Sequence, residues 1–371
     1  MGVTSWPLPP AEEYRENPFI AAITRVADQV LIPNAQLVDR GTIPPSHLTA
    51  LAEIGAFGLS GPKAFGGADV PSAVMREFME ILAGACASTW LTAGQHFPAM
   101  RMVAQSPNDA LKRRLLGKMC SGSVIAGAAV SHLRRSGPPA LVAVPEKQGW
   151  RITGKTDWYS GWGLNHILVT GAHTRESRVV FLVMNAEEQD CLRASADLPL
   201  AAMGGTRTVS LRLDGVFVEE ANVVEVVDMD AWHRPDALRL INASPAVFGI
   251  GRAILAALRD RGVESEQPRV RETANRLAGQ LEHIRSRAYH LVDHSRPDDE
   301  ISEKIKLKNS ALWLLNEIAL TYLSVCGAAG MTRDHPAQRW AREALFFCTV
   351  QGSTPRVLRE RADLPANLSI G

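Results

Sequence analysis

A surplus of charge of either sign is missing from these 371 residues: Lys and Arg number 40, Asp and Glu 39, giving a formal charge of +1. A chain this balanced lacks the basic excess that electrostatic binding of nucleic acid requires. It equally lacks the polybasic character that holds a protein on an anionic membrane. Neither partner is expected. Cysteine is sparse as well. The five, at 86, 120, 191, 326 and 348, are odd in number, widely spaced and without a Cys-x-x-Cys pair. That excludes a disulfide framework and a zinc site of the usual ligand spacing, and it suits a reducing, cytoplasmic setting. The first ten residues show no basic segment leading into an apolar run, so no secretory leader is expected. No apolar run approaches the roughly 20 residues that cross a bilayer; the longest, 311–326, carries Asn316 and Glu317. No P-loop, nucleophile elbow or metal-ligand cluster is legible.

What is present falls into three zones. Residues 17–120 are rich in Ala, Leu and Met, with apolar residues at helical spacing: Ile20, Ile23, Val26 and Val30; Leu48, Leu51, Ala52 and Ile54; Met75, Phe78, Met79 and Leu82. Pro44-Pro45, Gly66-Gly67 and Ser106-Pro107-Asn108-Asp109 break them apart. From 121 to 228 the pieces become short and β-branched: 124–130, 141–144, 150–153, 167–170, 179–184, 209–213 and 216–218. No helical pattern separates them, so a compact antiparallel sheet or barrel is expected rather than βαβ units. From 229 onward helices return, over 246–258, 270–292, 305–326 and 337–349. The second of these places Leu277, Leu281, Ile284 and Tyr289 inward and Arg276, Glu282, Arg285 and Arg287 outward. Short connectors suggest an antiparallel bundle. The expected fold is α+β and multidomain: an N-terminal helical domain (1–120), a central β-domain (121–228) and a C-terminal four-helix bundle (229–371).

Several motifs resemble the acyl-CoA dehydrogenase superfamily. Ile54-Gly55-Ala56-Phe57-Gly58-Leu59 with Pro62-Lys63-Ala64-Phe65-Gly66-Gly67 is similar to that family's "lGllGl…PeeyGG" turn. Gly154-Lys155-Thr156-Asp157-Trp158-Tyr159-Ser160-Gly161 resembles its "GxKxWITNG" strand, and Met203-Gly204-Gly205-Thr206-Arg207-Thr208 its "GxRgs" segment, followed by Leu213-Asp214-Gly215-Val216-Phe217-Val218. Gly327-Ala328-Ala329-Gly330 stands where the family has "GGxG", and Gln351-Gly352-Ser353-Thr354 where it has "EGTs". The five occur in the family's order and cover nearly the whole chain.

The resemblance implies FAD rather than FMN, lying along the β-domain and the bundle, a homodimer or homotetramer, and a small-molecule substrate such as an acyl-CoA or carrier-protein thioester. It implies a flavin reductase or an electron-transfer flavoprotein as redox partner. It also implies roles for particular residues. Trp158 aligns with an indole packed on the flavin ring. Ser160, placed on the same strand face by the period of two, aligns with a hydroxyl that hydrogen-bonds that ring. Ser131 stands near the family's threonine beside the flavin pyrimidine. Gly327 and Gly330 let the backbone approach the adenine and pyrophosphate, and Ser353 aligns with a hydroxyl near the pyrophosphate. His96 is a candidate proton donor or a buried structural histidine, and Trp162 lies in the turn after Ser160.

Departures from the family are as informative as matches. At 351 a glutamine stands where most relatives carry the glutamate base that removes the α-proton; an amide cannot accept that proton near neutral pH. The alternative base position, near Ala237-Leu238-Arg239, holds no acid, and Asp236 lies two residues early. The loop His132-Leu133-Arg134-Arg135-Ser136-Gly137-Pro138-Pro139 replaces an acidic one; its arginines suit either a phosphate or a solvated turn. The family's "RxxFG" is absent, with Arg261 nearby. Three readings follow: an FAD-dependent oxidoreductase acting at a CH–CH bond of an acyl thioester with a non-standard base, a flavin-dependent monooxygenase on the same scaffold, or a non-catalytic partner subunit of a heteromeric dehydrogenase.

Overall fold

The computed structural model describes residues 10–349. The chain divides into two compact units, Met1–Arg234 and Pro235–Gly371.

The first unit opens with helices. Asn17 caps α1 (Pro18–Val26), its Oδ1 accepting from the backbone N–H groups of Phe19 and Ile20, with Pro18 at the first helical position. Ile20, Ile23 and Val26 are buried. A π-turn at Ala27–Leu31 then inserts one extra residue, so Leu31, not Val30, takes the next core position. There follow α2 (Ile32–Arg40), α3 (Pro45–Glu53), α4 (Ser72–Ala85), α5 (Ala87–Gly94), α6 (His96–Gln105) and α7 (Asp109–Cys120). On α4 the fully buried apolar row is Val74, Phe78, Ile81 and Leu82; Met75 and Met79 flank it, half-buried.

Eight strands follow: β1 (Ala126–Ala129), β2 (Leu141–Glu146), β3 (Gly149–Tyr159), β4 (Ile167–His173), β5 (Arg178–Asn185), β6 (Leu192–Ala194), β7 (Val209–Glu219) and β8 (Val223–Asp228). They form one sheet in the order β6-β7-β3-β2-β4-β5-β8, with β1 added beside β4. The ladders are antiparallel except two: β1 runs parallel to β4, from Ala126↔Ile167 to Ala129↔Thr170, and β2 meets β4 in parallel at Val142↔His173. The expected pieces 209–213 and 216–218 are one strand, β7, passing through Gly215 at φ +76°. Strands β6 and β8 carry no signal of their own: three residues are too few to display a period, and the β8 run Val-Val-Glu-Val-Val-Asp does not alternate cleanly. One face of the sheet packs Leu141, Ile152, Tyr159, Leu182 and Leu211 together. The other, with Val169, Phe181 and Val224, is covered by Met100, Leu116 and Met119 from α6 and α7. Strands β4 and β5 are therefore buried on both faces, which is why they read as continuous apolar runs.

Helix α8 (Met229–Leu240) contains the division between units at Pro235. In the second unit, α9 (Pro245–Glu264), α10 (Pro268–His294), α11 (Ile301–Cys326) and α12 (Pro336–Phe347) pack on one another. Leu277 and Leu281 point inward as expected, but so does Arg285, which is 7% exposed. Its guanidinium lies over the Tyr289 ring at 5.1 Å and reaches Glu282 Oε1 at 3.4 Å, so a cation-π contact and a rim carboxylate compensate its burial. Met229–Glu264 and Ile301–Met331 each hold a window apolar enough to cross a membrane by length and composition alone; 61% of the first and 39% of the second is buried inside the fold.

Candidate functional site

The site is built where β3 breaks step with β7. Pairing runs to Thr156↔Leu211 and resumes at Tyr159↔Val209, so Asp157 and Trp158 together oppose Ser210. This is a β-bulge. It places Trp158 at φ +66°, the left-handed region that a bulky side chain enters only under constraint. The indole is 56% exposed. Ser160, expected on the same face, is instead buried, because the bulge cancels the period of two. Tyr159 between them is fully buried, edge-on to Trp162 at 6.2 Å, and burial lifts its phenol well above the ordinary range. Trp162 is thus a core aromatic.

The bulge is held from several sides. Gly161 (φ +97°) donates its N–H to Thr206 O at 2.8 Å, and Trp162 donates to Arg207 O at 3.2 Å. Across from them, Met203 and Arg207 also have positive φ, +58° and +51°. The turn containing Met203 and Thr206 is fixed to α2: Met203 N–H donates to Asp39 Oδ1 at 2.9 Å, and a Cβ on Gly205 would lie 2.1 Å from Val38 O. Buried hydroxyls line the corner in series, with Ser160 Oγ 2.7 Å from Thr208 Oγ1, Thr208 Oγ1 2.8 Å from Thr206 Oγ1, and Thr206 Oγ1 donating to Met203 O at 2.8 Å. Asn165 braces the inner side. Its Nδ2 donates to Tyr159 Oη at 3.2 Å and Ser160 O at 3.3 Å. A Cβ on Gly127 of β1 would come within 2.5 Å of that nitrogen, and one on Gly161 within 2.2 Å.

Ser131 begins a 3-10 turn, Ser131–Arg134, directly after β1, and is half-buried. The turn is locked by His132. Its Nε2–H donates to Gly171 O at 2.8 Å, which leaves Nδ1 to accept from Thr156 Oγ1 at 3.0 Å. Burial, chiefly, pushes its pKa down to about 4. The loop whose arginines suit either a phosphate or a solvated turn is therefore anchored at His132 and Leu133 and exposed only from Arg135 on. Arg135 lies 3.7 Å and Lys155 3.1 Å from the Asp157 carboxylate, which also accepts from Ser210 Oγ at 2.6 Å. The Ser210 hydrogen bond and the two cations hold Asp157 below the usual carboxylate range.

Trp158 and Ser160 mark one corner at the end of β3, and the turn that opens at Ser131 is tied to that strand through His132 and Thr156. His96 does not face that corner. Its ring is fully buried between Phe57 and Phe97, and Nδ1 accepts the Ala126 N–H at 3.1 Å, tying α6 to β1. Burial lowers its pKa to about 4 although the carbonyls of Phe57 and Met119 oppose the shift. In the second unit, Gly327 ends α11 at φ +61° and opens a 3-10 turn, Gly327–Met331; a Cβ on Gly330 would lie 3.0 Å from Leu323 Cδ1 and 3.1 Å from Leu323 O, so this turn is tight against its own helix. Arg261 is exposed in the last turn of α9. Asp236 is buried and accepts from Arg239 at 2.6 Å. Gln351 and Ser353 lie outside the described residues. Among the described residues no three or more His, Cys, Asp or Glu side chains cluster so as to hold a metal. The corner is suited to a flat heteroaromatic ring: an exposed aromatic plate on an over-determined backbone beside buried hydroxyls. The sequence alone did not single out Thr206, Thr208, Asn165 or His132 for a role. The first two lie inside a quoted motif, but their partner Ser160 is 46 and 48 residues away.

Comparison with known proteins gives the frame. Residues 14–123 match the family described as acyl-CoA dehydrogenase, N-terminal domain. The chain is 22% identical over 365 residues to a benzylmalonyl-CoA dehydrogenase of Aromatoleum aromaticum, covering 90% of this chain and 93% of that protein. Residues 14–123 belong to the acyl-CoA dehydrogenase N-terminal domain family, and the chain as a whole carries the acyl-CoA dehydrogenase-like fold. It is also 27% identical over 232 residues to the oxygenase component of an FADH(2)-dependent resorcinol hydroxylase from a Rhizobium species; the match covers 61% of this chain and about half, 53%, of that protein. Among solved structures, a glutaryl-CoA dehydrogenase of Mycobacterium smegmatis in complex with FADH2 superposes with a TM-score of 0.76 at 16% identity, over 96% of each chain. The acyl-CoA dehydrogenase-like fold expected from the motifs is the fold found.

Proposed function

We propose that this chain is an FAD-dependent oxidoreductase of the acyl-CoA dehydrogenase superfamily working as an oxygenase component: it takes reduced flavin from a separate reductase and hydroxylates a small molecule, of which a phenol is the first class to try. One observation carries the choice. Neither position where the family places its base holds a carboxylate: residue 351 is glutamine and 237–239 is Ala-Leu-Arg, while Asp236, two residues early, is paired with Arg239 at 2.6 Å. General-base catalysis is worth about 10²–10⁴-fold, and α-proton abstraction without it is correspondingly slow. Oxygenation needs no such base. The similarity to the resorcinol hydroxylase component supports this reading.

Trp158, Ser160 and Ser131 are the residues on this chain that would hold the flavin ring. Reduced flavin, when bound, supplies two electrons to O2, so that one oxygen atom enters the substrate as hydroxyl and the other leaves as water. The protein's part is positional. The bulge presents the indole as a plate, the buried Tyr159–Trp162 pair anchors the strand end in the core, and Asn165 fixes the turn that carries Ser160. A homo-oligomer in the cytoplasm is part of the proposal; five free cysteines suit that compartment. Similarity to benzylmalonyl-CoA dehydrogenase along most of the chain favours the second reading, dehydrogenation of an acyl thioester.

The test is a pair of assays on the purified chain with FAD. Oxygen-dependent hydroxylation of a phenol panel, driven by a flavin reductase and NADH, is expected, with no anaerobic bleaching by acyl-CoAs. Bleaching by an acyl-CoA would favour dehydrogenation. Failure to bind flavin in either redox form would leave a non-catalytic partner subunit.

A further inference from the structure

We infer that Thr206 and Thr208 fix Ser160 as a hydrogen-bond acceptor, and that this corner is thereby built to prefer reduced over oxidised flavin. The inference rests on the flavin reading above and adds the redox form of the ligand.

A hydroxyl has one proton to donate and two lone pairs. The chain of contacts has one end whose sense is settled. The Met203 carbonyl oxygen can only accept, so Thr206 spends its proton there, at 2.8 Å. The contact between Thr206 and Thr208, also 2.8 Å, must then use the proton of Thr208. With that proton spent, the 2.7 Å contact between Thr208 and Ser160 must use the proton of Ser160. Reversing any link sets lone pairs against each other within 3 Å. The Met203 end cannot swing away, because Asp39 holds Met203 N–H and Gly205 sits against Val38 O. Thr206, Thr208 and Ser160 are 0%, 4% and 9% exposed, so water does not compete for these protons, and buried hydrogen-bond chains reinforce one another. Ser160 Oγ consequently offers the corner lone pairs and no proton.

The flavin ring changes complementarily. On reduction a ring nitrogen that was an acceptor becomes an N–H donor. An acceptor-only serine satisfies the reduced ring and leaves a lone pair facing the oxidised one. Such a site captures flavin delivered in reduced form and lets oxidised flavin go after turnover, which is the order an oxygenase component fed by a reductase requires. Thr206 and Thr208 are positioning residues here, acting through Ser160.

The experiment measures dissociation constants for FAD and for FADH2, anaerobically, with the full-length chain and with Thr208→Val, Thr208→Ser, Thr206→Val and Ser160→Ala. Thermal melts of each variant are recorded alongside. The wild type is expected to bind FADH2 more tightly. Thr208→Val frees the Ser160 proton, so the ratio of the two constants should fall about tenfold, the scale of one hydrogen bond made or left unmade. That is a drop of about 30 mV in the two-electron potential of the bound flavin. Thr206→Val should move the ratio the same way, since Thr208 can then donate to Ser160. Ser160→Ala should abolish the preference, and Thr208→Ser should keep it. If Thr208→Val does not fold, Thr206→Val and Ser160→Ala decide. Binding of both forms with a ratio that the variants leave unchanged overturns the relay and spares the flavin reading. Binding of neither form by the wild type overturns the flavin reading itself.

Discussion

Trp158 concentrates the conflict between stability and use at a single residue. Its backbone is at φ +66° and its indole is 56% exposed, so the fold gains little from the side chain and bears the strain of the left-handed conformation. Trp158→Gly should therefore leave the melting temperature unchanged or raise it, by up to about 1 kcal/mol equivalent, while weakening flavin binding. A clear drop in melting temperature with unchanged FAD or FADH2 affinity would show that the indole serves the fold instead. Asn165 is the opposite case. Asn165→Leu leaves the Ser160 carbonyl and the Tyr159 hydroxyl without their donor in a buried place, a loss of about 1–3 kcal/mol readable by urea denaturation. Trp158 and Ser160 could be proposed from the sequence because they sit in a contiguous motif. Asn165 could not, since its importance comes from the close passage of Gly127 and Gly161, which no local pattern records. The expected shared face of Trp158 and Ser160 failed for a related reason: a bulge is set by the partner strand, and the period of two assumes there is none.

Between residue and molecule, elements are held by polar clasps placed in the breaks. Ser106-Pro107-Asn108-Asp109 reads as a helix breaker and separates α6 from α7, but it also reaches β8. Ser106 Oγ donates to Val224 O, Asn108 Nδ2 donates to Val223 O at 3.0 Å, and Asn108 Oδ1 caps α7 by accepting from Leu111 N–H at 3.0 Å. Asn108→Ala removes cap and clasp together and should cost about 1–2 kcal/mol. Asn108→Asp keeps the cap, loses the clasp and should cost less; equal losses in urea melts would remove the clasp from this picture. Helices were legible where an apolar stripe at 3.6 spacing is long, as in α1, α3, α4 and the four bundle helices, although α9 runs six residues past its expected end; α2 and α5 to α8 were not singled out. The π-turn at Ala27–Leu31, the short strand β6 and the inward Arg285 were not legible either. Each depends on a tertiary partner that overrides local spacing.

For the whole molecule, two buried histidines give stability a definite pH dependence. His96 and His132 both have pKa values near 4 in the fold, lowered mainly by burial from an ordinary 6.5. The unfolded chain takes up these protons below about pH 6.5, and the native one does so only near pH 4. Their contribution is therefore constant above pH 6.5 and is lost progressively as pH falls from 6.5 to 4, by roughly 2–3 kcal/mol for each ring. Urea midpoints at pH 7 and pH 5 should differ accordingly, and by less in His132→Gln; an identical pH slope in that variant would contradict the assignment. At this same scale the fold class was readable from motif order, whereas the reaction was not, because residue 351 names only what is missing. The most direct measurement mixes the anaerobic chain–FADH2 complex with a phenolic substrate and ¹⁸O2, then weighs the product. An oxygenase component predicts one labelled oxygen per hydroxylated product. Flavin oxidation yielding only hydrogen peroxide, in a chain whose oxidised flavin is reduced by an acyl-CoA, would contradict it.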